Sequence, residues 1–394
     1  MNPTSVLPSL CAVVVALAST AYLARFLRLP DLAQRYTAID GLRGYLAFFV
    51  FLHHACIWYF FLQSGEWRPP PSNLYTHFGQ SSVAMFFMIT GFLFFSKLLD
   101  GRQTIDWLRL FVSRFLRLTP AYLVMLAIMF GVVMLVSDAD IRSAPVQVSK
   151  DALRWMSFTI LGAPDLNGLA DTWRITAGVT WSLPYEWFFY FSLPLLALTT
   201  GSAVPLRYLL PAAAAVLGML WVWEPLLPHF LSFLTGIIAA LCVRSSYVRV
   251  LTASRWAAVF AFACLAVMVN YLPTSNAYLK AIPLALAFIV IACGNSLFGL
   301  LTHRLSRMLG EMAFSLYLMH GILLYVSFSL IFRTDTIAAL SAVQYWALVI
   351  SLTPILLGIC AMSTHFVEQP AMRQTSRLTQ WLRGSLTRHK AARD

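Results

Sequence analysis

Runs of about 20 apolar residues, separated by short polar segments, recur along the whole chain. A helix needs a run of this length to cross the apolar core of a bilayer. The shortest run, 230–243, begins after a proline and gives the weakest signal. The pattern predicts eleven membrane-spanning helices, at residues 6–27, 42–62, 81–99, 118–136, 180–200, 207–223, 230–243, 256–272, 281–300, 309–331 and 344–364.

The basic residues predict the orientation of these helices. Arg25 and Arg28 follow the first run, the reverse of the charge order in a signal peptide, so we expect a retained helix with its N-terminus outside. Eleven crossings then leave the C-terminus inside. Most of the 28 lysines and arginines fall in the inside segments. The outside segments hold Arg68, Arg142, Lys150, Arg154, Arg174, Lys280 and Arg333.

Three polar segments lie between or after the spans. Residues 63–80 are proline-rich and are predicted to be irregular. Within 137–179, the sequence LRWMSFTILGAP predicts a helix that lies in the membrane interface without crossing it. Residues 371–394 are polar and basic, which predicts a helix on the cytoplasmic surface.

Composition leads to the same class of protein. Of 394 residues, 59% are hydrophobic and 11% are charged, whereas soluble domains are roughly 25% charged. The formal net charge is +12, but the basic residues lie in short loops, which argues against nucleic-acid binding. The six cysteines lie in or beside apolar runs without a CxxC pair, so we expect small buried side chains and no metal site.

The stretch DGLRGYLAFFVFLHH places ionisable side chains inside an apolar run. Arg43 and His54 are eleven positions apart, so on a helix they lie on nearly one stripe, roughly 16 Å apart along the axis. Asp40 precedes Arg43 by one turn, and His53 is rotated away. A buried polar group without a partner is costly in lipid, so the stripe must face a bundle interior or a wet cavity.

Six motifs in order resemble a large bacterial family of membrane acyltransferases, acyltransferase family three, which includes O-antigen and capsule O-acetyltransferases. The Arg43 to His54 spacing is similar to the family's Arg, ten residues, His pattern. Ala313 and Phe314 stand where the family usually has Ser-Tyr. The other five motifs are VAMFFMITGFLFF (83–95), SRFLRLTP (113–120), WSLPYEWFFY (181–190), LGEMAFSLYLMH (309–320) and VEQP (367–370).

The resemblance implies an all-α, polytopic helical bundle with a ten-helix acyltransferase core in the bacterial inner membrane. The predicted divisions are an extra N-terminal transmembrane helix and linker (1–35), the membrane acyltransferase domain (36–373) and a basic cytoplasmic tail (374–394). The implied reaction moves an acetyl group from acetyl-coenzyme A to a hydroxyl of a cell-surface glycan or its lipid-linked precursor. The expected partners are acyl-coenzyme A, this glycan acceptor and membrane lipids; the oligomeric state is open.

Acyl transfer from a thioester to a hydroxyl needs a base, a site for the anionic donor and stabilisation of the developing oxyanion. His54 is the candidate base, because imidazole titrates near neutral pH. Arg114 and Arg117 share one helix face on the predicted cytoplasmic side and suit the phosphates of coenzyme A. In this hypothesis the thioester reaches His54 from inside, and the acceptor receives the acyl group from outside.

The remaining candidates have more than one interpretation. Asp40 and Arg43 could line the access of the donor or could brace the helix. Glu186 could orient His54, bind acceptor hydroxyls or pair with an arginine, and His320 lies near His54 in predicted depth. Three rival functions stay open: acylation of a small molecule, transport with the buried charges as a proton relay, and an inactive membrane scaffold.

Overall fold

The computed structural model describes residues 2–26, 36–101 and 105–391, and within these ranges it contains helices and no β-strand. Of the predicted N-terminal helix and linker (1–35), residues 27–35, which include Arg28, lie outside the described residues. The α-helices are α1 Val6–Leu23, α2 Thr37–Ser64, α3 Asn73–Asp100, α4 Trp107–Val136, α5 Pro145–Met156, α6 Leu183–Thr199, α7 Leu206–Val222, α8 Leu227–Cys242, α9 Ser246–Thr252, α10 Arg255–Tyr271, α11 Ala277–Ala292, α12 Arg304–Glu311, α13 Ala313–Tyr325, α14 Thr334–Ala338, α15 Ala342–Ser363, α16 Gln369–Arg373 and α17 Thr375–Ala391.

The predicted class, an all-α polytopic membrane bundle, is confirmed. Among the described residues, six helical stretches are long and apolar enough to cross a membrane: α1 to α4, α13 with its π-helical extension to Ile331, and the stretch beginning with α15. The pair α8 and α9 is bent by 104°, the geometry of a broken span or a re-entrant loop, and α7, α10 and α11 are shorter apolar helices. The predicted span at 180–200 corresponds to a 3-10 turn, Val179–Ser182, followed by α6. Each predicted span overlaps a helix, but α11 ends at Ala292, eight residues before the end of the predicted span 281–300, and the span 309–331 begins within α12. That all eleven segments cross the membrane, and their sidedness, stay predictions.

Contacts at the two ends of the bundle fit an up-and-down order of helices. At one end, Tyr75 Oη donates to Ser5 O (3.0 Å) and Trp346 Nε1 donates to Pro3 O (2.8 Å), which joins the beginnings of α1, α3 and α15. At the other end, Arg244 Nη2 lies 2.6 Å from Asp100 Oδ1, which joins the ends of α3 and α8. Helices that run in the same direction thus begin at one end of the bundle and end at the other.

The N-terminal helix α1 packs against α15 through small side chains. Ser9, Ala12, Ala16 and Thr20 recur at helical spacing and are buried. The opposite side of α1 carries exposed apolar side chains such as Val14. This arrangement is typical of a peripheral membrane helix, because small residues let two helices approach closely while lipid covers the rest.

The segment 63–80, predicted to be irregular, is largely helical. Its irregular part is short, because α2 ends at Ser64 and α3 begins at Asn73, capped by Ser72. Tyr75 and His77, at the polar start of α3, are buried in the bundle. Their burial shows that the first turns of α3 pack as helix despite their polar sequence.

The predicted interfacial helix over LRWMSFTILGAP is wrong beyond its first four residues. α5 ends at Met156, and the backbones of Phe158 and Thr159 have positive φ, both 57°. The chain turns back because Tyr122 Oη donates to Trp155 O (2.6 Å) and the Phe158 ring stacks on Tyr122 at 4.6 Å. Packing against α4 therefore replaces the extra turns of helix that the apolar pattern predicted.

We predict that Gly236→Ala destabilises the bundle and that Gly358→Ala does not. A Cβ at Gly236 would lie 2.1 Å from Met88 O, so α3 and α8 would have to separate, at about 1–3 kcal/mol. A Cβ at Gly358 meets nothing within 4 Å, and alanine favours helix there by roughly 0.5–1 kcal/mol. Thermal unfolding in detergent measures both variants; equal melting temperatures would contradict the close α3–α8 packing.

Candidate active site

Glycines bring the N-terminal part of α2 against the segment that precedes α13. A Cβ at Gly41 would lie 1.9 Å from Leu301 O, and a Cβ at Gly310 would lie 1.9 Å from Asp40 O. The backbones therefore touch where DGLRG meets LGE, and no larger side chain fits. This contact fixes α2, which carries Arg43 and His54, relative to the helix that carries His320.

The structure brings His54 and His320 into direct contact. His320 Nε2 lies 3.0 Å from His54 Nδ1. His54 Nδ1 is also 3.1 Å from Val50 O, and His320 Nδ1 is 2.9 Å from Leu316 O. His320 is completely buried and His54 is half-buried. The two side chains lie at similar depth, as expected, and their imidazole rings form a hydrogen-bonded pair.

His53 points to a different part of the bundle. Its Nδ1 lies 2.7 Å from Tyr75 O at the start of α3, and its ring packs on Gly79. These contacts make His53 a link between α2 and α3. The two adjacent histidines thus have separate surroundings, as the 100° rotation between neighbouring helix positions requires.

Aromatic side chains cover the His54 ring on the side of the long loops. The Trp67 indole lies 6.5 Å from the His54 ring, with a 24° angle between the ring planes. Trp67 in turn contacts Trp173 edge-on at 5.8 Å, and the Arg174 guanidinium lies 4.5 Å from the Phe61 ring centre. A continuous aromatic layer therefore leads from His54 to the loop before α6.

Five of the predicted site residues line one cavity of about 470 Å³. They are Asp40, Arg43, Arg114, Arg117 and Glu186. A narrower cavity of about 70 Å³ shares Arg43 and Glu186 with it and is also lined by Tyr317, one turn before His320. Neither cavity is lined by the histidine pair itself. We call the larger one the inner cavity, because the predicted topology places it on the cytoplasmic side.

Arg114 and Arg117 share a helix face but differ in their partners. Arg117 Nη1 lies 3.4 Å from Glu368 Oε2, and the Glu368 carboxylate, which is fully buried, also accepts hydrogen bonds from Ser315 and Thr364. Arg117 is thus paired within the protein. Arg114 lines the inner cavity and lies over the Phe94 ring at 5.0 Å. Its Nη2 donates to Ser113 Oγ (3.3 Å), and its buried Nε makes no hydrogen bond among the described residues.

Glu186 belongs to the same cavity as the arginines. Its Oε1 accepts hydrogen bonds from Tyr190 Oη (3.1 Å) and Thr90 Oγ1 (3.5 Å). It makes no hydrogen bond with His54, which the orienting role would require. Sequence reasoning missed Tyr190, although its position four residues after Glu186 puts it on the same helix face. The Ser315–Glu368 contact was also missed, because it joins segments distant in sequence.

A third cavity, of about 620 Å³, lies near the loops before α6 and after α7, and we call it the outer cavity because the predicted topology places it on the outside. Three tryptophans line it, Trp173, Trp181 and Trp223, together with Arg154 from α5. Trp173 connects this outer cavity to the aromatic layer over His54. None of these tryptophans was singled out from the sequence, because single aromatic residues near apolar runs are also typical of membrane interfaces.

Comparison with known proteins gives one clear result. The family model described as acyltransferase domain, acyltransferase 3, matches residues 36–365. No curated protein and no solved structure matches the chain. The chain therefore belongs to this acyltransferase family, as the six motifs indicated, and is a multi-pass membrane acyltransferase. Helix α1 precedes the matched region.

We predict that Glu368→Ala strongly destabilises the fold, because it leaves the buried Arg117 charge without its partner. Removing one member of a buried ion pair costs about 3–5 kcal/mol. Asp100→Ala is the matched control: its pair with Arg244 is 39% and 29% exposed, so its loss costs at most about 1 kcal/mol. Melting temperatures in detergent compare the two; an equal fall in both would contradict a special role for the Arg117–Glu368 pair.

Proposed function

We propose that the protein is an O-acyltransferase of the bacterial inner membrane. It moves an acyl group, acetyl in the first instance, from cytoplasmic acyl-coenzyme A to a hydroxyl of a cell-surface glycan or its lipid-linked precursor. The observation that carries the proposal is the His54–His320 pair and its two connections. Trp67 and Trp173 connect it to the tryptophan-lined outer cavity, and Tyr317, one turn before His320, lines the narrow cavity that shares Arg43 with the arginine-lined inner cavity. The donor is anionic and the acceptor is a sugar, and the two cavities differ in the same way: arginines line one and tryptophans line the other.

The inner cavity suits a phosphorylated donor. Arg43, Arg114 and Arg117 line it, and Arg114 retains an unpartnered Nε. Guanidinium groups bind phosphate through charge-assisted hydrogen bonds, which are about twice as strong as neutral ones. Arg114 is therefore the residue that we assign to the donor phosphates, because Arg117 is already paired with Glu368. Asp40, Glu186 and Glu311 also line the cavity and balance the charge of its three arginines.

The outer cavity suits a sugar acceptor. An indole ring presents a broad, rigid face on which the apolar face of a sugar ring can stack, while its N–H can bind a hydroxyl. Trp173, Trp181 and Trp223 supply three such surfaces, and Arg154 adds a donor for polar groups at the rim. The volume of about 620 Å³ is in the range of sites for small ligands, which corresponds to a few sugar units.

His54 is the base in the proposed reaction. It takes the proton of the acceptor hydroxyl while the oxygen forms a bond to the thioester carbonyl carbon. The carbon–sulfur bond then breaks, and the coenzyme A thiolate leaves with the proton that His54 gives back. The products are the O-acyl ester and the free thiol, so protons and electrons balance without another reactant.

The first test is transfer by purified protein in liposomes. We expect radiolabel from acetyl-coenzyme A to reach a component of a lipid extract from the source cell. His54→Ala should lower the rate by about 10²–10⁴, the usual contribution of a general base. His53→Asn is the control, because an asparagine amide can still donate to Tyr75 O. Equal transfer by all three proteins would remove His54 from the chemistry.

The same assay separates the rival functions. Label on a small molecule, with none on glycan or lipid, would replace the proposed acceptor class. Acetyl-coenzyme A-dependent transfer of any kind rules out an inactive scaffold and a simple transporter. Transfer by neither wild type nor variants, together with proton-coupled uptake of solute into the liposomes, would favour the transporter.

A second prediction concerns the donor site. Arg114→Gln should raise KM for acetyl-coenzyme A by about 10- to 100-fold, because a hydrogen bond to a charged group contributes about 1.5–3 kcal/mol. KM for the acceptor should not change. Arg109→Gln, an exposed position five residues earlier on α4, is the control and should behave as wild type. If both variants raise KM equally, general positive charge, and not Arg114, binds the donor.

A further inference from the structure

The hydrogen bonds around the imidazole pair determine which nitrogen of each ring carries the proton. His320 Nδ1 lies 2.9 Å from Leu316 O, and a carbonyl oxygen can only accept. In neutral His320 the proton is therefore on Nδ1, and Nε2 is a hydrogen-bond acceptor. That acceptor lies 3.0 Å from His54 Nδ1.

The same reasoning then applies to His54. Its Nδ1 faces two acceptors, His320 Nε2 at 3.0 Å and Val50 O at 3.1 Å. Both contacts are favourable only if Nδ1 of His54 carries the proton. In the opposite arrangement the Nδ1 lone pair of each ring would face a carbonyl oxygen, and the buried Nδ1 of His320 would have no hydrogen-bond donor, at a cost of about 1–3 kcal/mol. Nε2 of His54 is consequently the nitrogen with the free lone pair.

We propose that His320 is a positioning residue that holds the proton of His54 on Nδ1 and so leaves Nε2 of His54 as the reacting base. The role of His54 rests on the proposed function, whereas the proton position rests on the geometry. Val50 O alone is a weaker anchor, because it is also the acceptor of the helix hydrogen bond from the His54 backbone N–H. The lateral bond from His320 fixes the plane of the ring as well as its proton.

His320 is well placed for this task. It is fully buried, and its ring contacts Phe51 and Tyr317 at centroid distances of 6.5 and 6.2 Å. The next residue, Gly321, has no room for a Cβ, which would lie 2.3 Å from the Thr176 carbonyl carbon. A second 3-10 helix, Thr172–Thr176, therefore packs directly on α13 next to His320 and fixes the position of the helix that carries the ring.

Two amide substitutions of His320 form a matched pair for the test. In His320→Gln the side-chain oxygen can reach the position of Nε2 and still accept from His54 Nδ1. In His320→Asn the shorter amide can reach Leu316 O but not His54. The two variants have similar polarity, so they differ mainly in whether His54 retains its lateral acceptor. His53→Asn serves as a control that leaves both partners of His54 in place.

Nitrogen-15 NMR of histidine-labelled protein in nanodiscs reads the proton position directly, with the His54 signals assigned by their loss in His54→Ala. We expect protonated Nδ1 and unprotonated Nε2 for His54 in wild type, His320→Gln and His53→Asn. In His320→Asn the proton should redistribute towards Nε2. A wild-type His54 protonated on Nε2, or a proton position unchanged in His320→Asn, would overturn the proposal.

Kinetics provide the second measurement. We expect kcat to fall by about 10-fold or more in His320→Asn and by less in His320→Gln, with KM for acetyl-coenzyme A unchanged in both, because a catalytic histidine in the wrong tautomer loses its basicity. Equal loss in the two variants would contradict the positioning role. If His54→Ala retains transfer, the assigned base is wrong, yet the NMR result still decides the proton position; the two failures are therefore distinguishable.

Discussion

A polar side chain inside an apolar bundle has to find its hydrogen-bond partner within the protein, and this requirement organises the interior of this acyltransferase. His54 is bonded to His320, Glu186 to Tyr190, and Arg117 to Glu368. The first and last of these contacts join helices that are far apart in the chain. The groups that we assign to the proposed reaction therefore belong to the contacts that fix how the helices meet.

Much of the fold could be predicted from the apolar pattern, because a membrane span must be long, continuous and helical. The errors occur where packing overrides the pattern. The first turns of α3 read as a loop because they are polar, but Tyr75 and His77 are buried there. The segment after α5 reads as a helix because it is apolar, but Phe158 turns inward to stack on Tyr122. In both segments the structure depends on contacts with residues that are distant in sequence, which the local apolar pattern does not contain.

The candidate site shows the same division. The sequence predicts which side chains share one face of a helix: the stripe from Arg43 to His54 and the shared face of Arg114 and Arg117 follow from helical spacing. It does not predict which side chains on different helices come into contact. His320 lies 266 residues after His54, and its selection as a candidate rested on similar depth and on the motif that it ends, with no sign of contact between the two rings. Helical spacing does not distinguish Arg114 from Arg117, whereas in the structure Glu368, three residues after the matched region, pairs with Arg117 and not with Arg114.

The two cavities explain why the base lies at mid-membrane in the proposed reaction. A polyanionic donor and a polar sugar would each lose their hydration if they crossed an apolar bundle, which is costly. Cavities on both sides let each substrate stay near its own solvent. Between them, Tyr317 donates to Val179 O (2.9 Å) and narrows the inner passage one turn before His320. Only the slender thioester end of the donor has to pass this point, and the acyl group that it carries is small and apolar. A base held in one proton state at that position can then act on an acceptor hydroxyl from the outer side, without any large movement of the helices that carry it.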